Sequence, residues 1–223
     1  MVLSIATQPL IYTARIAPAE EPLSTPPDPR RRILDALVGT AVREGYAHTC
    51  IERVCSAANV SEAVFGEHFE SIQDCFIQAT DELIGELELV VLRDCCGEAP
   101  WPHRIRRGLA ALLSVISKHP DRARFVMIEC PQAGEPAGER LRAAEAMFAV
   151  VLEEGAEYAA NVELLSIEHL TDLTAEGIVG GIAAIIHKRV LEENTAELPA
   201  LLADLLYFAL MPYLGHEDAL AAA

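Results

Sequence analysis

Aromatic side chains make up only 5% of this 223-residue chain, and its 17 Lys and Arg face 34 Asp and Glu. The resulting formal net charge of −17 excludes a broad nucleic-acid-binding surface, since a polyanion would be repelled across most of the molecule. No segment alternates convincingly between apolar and polar residues, and Ala and Leu outweigh the β-branched and aromatic residues that sheets favour. The expected fold class is therefore all-α. No stretch approaches the roughly 20 apolar residues that cross a bilayer. Met1–Leu10 is mildly apolar but lacks a basic flank and is interrupted by Gln8 and Pro9, so it does not read as a secretion signal. A cytoplasmic protein with no membrane partner is expected.

Chemistry-bearing motifs are also scarce. The cysteines at 50, 55, 75, 95, 96 and 130 contain no C-x-x-C, which leaves neither a zinc finger nor a disulfide framework. They read as buried thiols in a reducing compartment, with the vicinal pair Cys95–Cys96 as a redox-sensor alternative. A di-iron helical bundle needs Glu three residues before His, and none of the seven His has it. No nucleophile elbow, phosphate cradle or zinc-hydrolase motif occurs. The run Gly177-Ile178-Val179-Gly180-Gly181 follows no strand and is not a dinucleotide loop. An enzyme, a metal site and a cofactor are all unexpected.

What is present is helical. Hydrophobic residues reach 52%, enough for a real core, and the length suggests a small domain joined to a larger one. Residues 1–28 hold Pro9, Pro18, Pro22, Pro26 and Pro27 without any sustained period and read as a flexible tail. Asp28-Pro29 is a helix-start signal, followed by the stripe Leu34, Leu37, Val38 and Ala41, with Gly45 as the stop. Thr49-Cys50-Ile51-Glu52 reads as a capping box opening a second short helix, which ends before Asn59. Ser61 caps a third helix through about His68, and Ser71 starts a long fourth helix to about Cys95. Further helices are expected at Pro102–Lys118, Asp121–Glu129, Glu139–Tyr158, Thr174–Glu192 and Glu197–Leu214, with a loop at Pro131–Gly138. That makes about nine. Charge is uneven along the chain: residues 30–75 sum to −2, whereas 76–223 carry −13.

Two short helices joined by a tight turn between Thr49 and Phe69 have the length of a helix-turn-helix, which places its second helix in the DNA major groove. Arg32-Ile33-Leu34-Asp35-Ala36, Gly45-Tyr46 with Thr49, Val54-Cys55-x-Ala57-Ala58-Asn59-Val60-Ser61 and Phe65-x-x-His68-Phe69-x-Ser71 carry a closer likeness. In order and spacing these residues resemble the N-terminal domain of the TetR family of transcription regulators. The resemblance implies a DNA-binding domain at 29–75 and an effector-binding and dimerisation domain at 76–223. DNA would then be met by Ser61, Glu62, Ala63, Val64, Glu67 and His68, by Thr49, and by Arg30, Arg31 and Arg32 on flanking phosphates. Asn59 stands where the family usually has Gly, Gly66 where it has Tyr, and Ile72 where it often has Lys. With Glu62, Glu67 and Glu70 these changes remove backbone attraction.

In the C-terminal part, Trp101, Phe125, Met127, Phe148 and Tyr158 are the side chains available to line an apolar effector site, although each also suits ordinary core packing. Residues 101–145 hold eight basic residues against five acids, which also admits an anionic apolar ligand. Gly177, Gly180, Gly181 and Ala184, with Leu202 and Leu206, suggest close helix packing between two copies, as in the family's dimer. The expected partners are double-stranded operator DNA, a small-molecule effector and a second copy of the chain. The expected function is a ligand-responsive repressor released from a palindromic operator. A helical interaction or sensor protein with a degenerate reader is the alternative.

Overall fold

The computed structural model describes residues 28–161 and 172–223, so the expected tail lies, Asp28 apart, outside the described residues. Among the described residues there are nine α-helices and no strand. Helix α1, Pro29–Glu44, starts on the fixed φ of Pro29, and the Asp28 carboxylate makes no capping hydrogen bond, contrary to expectation. It buries Ile33, Leu34, Leu37 and Ala41 and stops at Gly45, whose φ of 83° is open to glycine.

A short 3-10 turn, Tyr46–His48, then changes the entry to α2, Ile51–Ala58. The turn brings Thr49 back over α1, where its hydroxyl donates to the Gly45 carbonyl at 2.9 Å. Cys50 takes the N-cap position, so the expected Thr49–Glu52 capping box does not form. Asn59 ends α2 in the left-handed region at φ 51°, and Ser61 accepts the Val64 N–H at 3.2 Å to start α3, Glu62–His68. Ser71 caps α4, Ile72–Cys95, by accepting the Asp74 N–H, and the Asp74 carboxylate accepts the Glu70 N–H, both at 3.0 Å. That reciprocal pair satisfies two orphan donors at once.

Helix α5 covers Trp101–Lys118. Helix α6, Pro120–Arg124, runs into a π-helical turn, Phe125–Glu129, and a 3-10 turn, Cys130–Ala133. Helix α7 spans Glu135–Asn161 and begins four residues before the expected Glu139. Gly134 at φ 112° makes the reversal, and Pro136 fits the first helical turn, so the expected loop is largely structured. Helix α8 is Asp172–Leu191. The expected last helix is two elements: a 3-10 segment, Thr195–Leu201, around Pro199, and α9, Leu202–Ala222, broken at Gly215 with φ 75°.

Two apolar cores result. In the first, α1–α3 and the start of α4 pack Leu37, Val54, Phe65 and Phe76 against Phe125, Cys130, Ala133 and Ala137, so it is not closed at residue 75. Burying Phe65 alone contributes about 1.5–3 kcal/mol. The second joins α5, α7, α8 and α9 around Leu113, Leu206, Leu210 and Tyr213. Arg140 of α7 clamps α4 through Glu88, with both nitrogens at 2.8 and 2.7 Å from its oxygens. Thr195–Ala222 corrects one expectation: it is long and apolar enough to cross a membrane by length and composition alone. Its Leu205, Leu206, Leu210 and Tyr213 pack into the second core.

Candidate DNA-reading helix and effector cavity

Helix α3 is held from beneath by Phe65, whose ring lies 5.4 Å from that of Phe69. Its outward positions are Glu62, Ala63, Gly66 and Glu67, all exposed together with the capping Ser61, while Val64 and His68 are half-buried. A side chain at Gly66 would meet nothing within 4 Å. The outer face therefore offers two carboxylates, a methyl group and open backbone. Thr49 is 8% exposed and its hydroxyl is engaged within the fold.

The three arginines that open α1 turn toward the body of the protein. Arg30 pairs with Glu82, donates to Gln78 at 3.0 Å, and lies 5.7 Å from the centre of the Phe69 ring. Arg31 is 3.5 Å from Asp35 and 3.4 Å from Glu86 of α4. Arg32 Nε is buried without a partner among the described residues. Arg53, which is not among the expected DNA contacts, is an exposed side chain of α2 that pairs with Glu44. The signal was available, because the first helix of a helix-turn-helix crosses the DNA backbone.

A cavity of about 330 Å³ opens among α4, α5, the α6 region, α7 and α8. Its walls are apolar: Leu87 and Val90 of α4, Leu109 and Leu112 of α5, Phe148 and Leu152 of α7, and Ile182 and Ile186 of α8. Its polar members are Glu86, His119, Arg122 and Glu145. A second cleft of about 300 Å³, reaching α1, shares Leu83, Glu86, His119 and Arg122 with it. The cavity thus borders the contact between α1 and α4, and Glu86 belongs to both.

Of the five expected lining residues, Met127 and Phe148 face the cavity, whereas Trp101, Phe125 and Tyr158 lie outside its lining. Trp101 is a packing slab, with Tyr158 and Tyr213 at 5.9 and 5.1 Å and its indole N–H donating to Val151 O at 3.1 Å. A Cβ at Gly155 would run into its ring. Burial pushes the Tyr213 hydroxyl up to about 12. Phe125 stacks on Phe76 at 5.3 Å within the first core.

The π-helical turn links the two regions. Val126 and Met127 line the cavity, while Phe125 packs in the first core and the Glu129 carboxylate accepts the Tyr46 N–H at 2.9 Å. Such wide turns recur at functional sites.

On α8, Gly177, Gly180 and Ala184 are exposed, and Cβ atoms at Gly177 and Gly180 would meet nothing within 4 Å. A Cβ at Gly181 would lie 3.1 Å from the Phe208 ring of its own chain. Leu202 is half-buried and Leu206 is fully buried within the protomer, so Leu206 corrects the expected interface. Ile185, Leu191, Phe208 and Met211 are exposed apolar residues on the same two helices.

No family model and no curated protein matches the sequence. Solved structures do match the fold. FadR from Bacillus subtilis, described in complex with stearoyl-CoA, superposes with a TM-score of 0.70 at 19% identity over 83% of this chain and 98% of its own. SmeT, the repressor of the Stenotrophomonas maltophilia multidrug efflux pump SmeDEF, gives 0.67 at 16% identity over 86% and 91%. A TetR-like transcriptional regulator from Rhodococcus sp. RHA1 gives 0.64 at 17% identity over 85% and 97%. This chain has the all-helical fold of TetR-family transcriptional regulators.

Proposed function

We propose that the chain is a DNA-binding transcription regulator whose grip on an operator is released by a small, mainly apolar effector. The observation that carries this reading is the pairing of a capped, outward-facing α3 with an apolar cavity that shares Glu86 with the α1–α4 contact. Residues 29–75 would form the reader and 76–223 the effector and dimer domain. The dimer would form through the exposed faces of α8 and α9 around Gly177, Gly180 and Phe208 and would present two α3 helices to an inverted repeat in the cytoplasm. The stearoyl-CoA held by the similar FadR supports a ligand with a long apolar body.

A second reading is a helical sensor that no longer binds DNA. The ion pairs of Arg30 and Arg31 with α4, and the outward Glu62 and Glu67, favour it. Selection of a random duplex DNA pool by the purified protein at low salt separates the two. Enrichment of an inverted repeat is expected for the regulator, and no enrichment for the sensor.

A further inference from the structure

Helix α7 lays Leu141, Ala144, Phe148, Val151 and Leu152 along the cavity, and one carboxylate stands in the middle of that apolar face. Glu145 lines the cavity between Leu141 and Phe148, one helical turn from each. It makes no hydrogen bond or ion pair to any described residue. Its electrostatic neighbour is Arg142, which is taken by Glu135 at 2.6 Å. The other cavity charges are already matched: Glu86 accepts from Arg122 at 2.9 Å and also holds Arg31. An acid inside an apolar wall gives up hydration that nothing in the wall returns, and its half-burial raises its pKa accordingly. A ligand carrying positive charge would supply the missing partner, whereas an anion at Arg122 would find that guanidinium already paired with Glu86. The charged groups of the lining sum to one negative charge, two acids against one arginine, within a chain of net charge −17, so the wider field also draws cations in.

We infer that the effector is a lipophilic cation, with its apolar body in the cavity and its positively charged nitrogen at Glu145. The inference rests on the effector-cavity reading above and adds the chemical class. The probes are three compounds of equal chain length below their micellar concentrations: dodecyltrimethylammonium, dodecanol and dodecanoate. Calorimetric titration of the full chain is expected to show the cation binding about tenfold more tightly than the alcohol, the scale of one charge-assisted contact, and the carboxylate binding more weakly than either. Glu145→Gln should erase the preference for the cation over dodecanol, each variant's dodecanol affinity serving as its own reference. Among the described residues Glu145 makes no hydrogen bond or ion pair that the substitution would break, so this variant should fold, and Glu145→Met provides a second neutral side chain of similar size. Equal affinity for cation and alcohol, tighter binding of dodecanoate, or a cation preference that survives in both variants would overturn the inference and leave the cavity reading standing. Failure of all three compounds to bind would overturn both.

Discussion

Arg31 of α1 and Glu86 of α4 stand 3.4 Å apart, and the same carboxylate receives Arg122 from α6 at 2.9 Å. One acid on the cavity wall therefore holds both α1 and the segment that precedes the π-helical turn. Both pairs are well exposed, so each adds at most about 1 kcal/mol to stability. In a double-mutant cycle with Arg31→Ala and Glu86→Gln, the thermal-unfolding coupling should be about 0.5 kcal/mol. Coupling between cavity occupancy and operator affinity should fall more clearly, because Glu86 touches both sides. Unchanged coupling in Glu86→Gln would remove this residue from the pathway.

Phe125 and Phe148 should separate packing from ligand binding. Phe125 is fully buried and stacked on Phe76, so Phe125→Ala should cost about 3–5 kcal/mol in denaturant unfolding. Phe148 is half-buried on the cavity wall and should cost less, while changing the affinity for a dodecyl probe. The reverse ranking would place the ligand site elsewhere.

The thiols divide sharply by environment. Burial pushes Cys130 up to about 12 and Cys75 higher still, and both are raised chiefly by desolvation. A folded-state pKa raised by burial favours the neutral thiol, so these groups stay unreactive as pH rises through the range where an exposed thiol ionises. Cys50 and Cys96 are exposed. A thiol reagent at pH 8 should therefore modify these two quickly and the buried cysteines only after unfolding. Because all six cysteines are free, reductant should leave the melting temperature unchanged.

The carboxylates on α3 should oppose DNA. Glu62→Gln with Glu67→Gln should strengthen binding to all duplexes and leave the fold intact, because both side chains are exposed. Gly66→Tyr with Ile72→Lys should act in the same direction, since the space above Gly66 is open. Each phosphate newly neutralised should steepen the slope of log affinity against log salt by about 0.9. Salt titration by fluorescence anisotropy reads both effects, and an unchanged slope in the Lys-bearing variant would show that Ile72 does not face the backbone.

The α1–α3 unit and most of the helices were legible in the sequence because caps and apolar stripes are local signals. Asn59, Ser61 and Ser71 behave as their residue types demand. Thr49 misled because a hydroxyl followed three residues on by Glu is a cap only where the backbone enters straight, and the Tyr46–His48 turn swings it away. Arg30 and Arg31 looked free because Glu82 and Glu86 lie some fifty residues along the chain. The cavity was only half legible: Met127 and Phe148 face it, but Trp101, Phe125 and Tyr158 show that aromatic size does not distinguish a wall from a slab. Glu145 could have been found as the one charge on the apolar face of α7.

The most direct test is anisotropy titration of the duplex recovered from the random pool, using wild type and Ala63→Asp, with an unrelated duplex as reference. Ala63 is exposed on α3, so the substitution should leave the fold intact while placing a carboxylate against the bases. Wild type is expected to bind the recovered duplex about a thousandfold or more tightly than the unrelated one. Ala63→Asp should bring the two duplexes to the same weak affinity. Equal affinity of wild type for both duplexes, or selective binding that survives in Ala63→Asp, would contradict α3 as the reading helix.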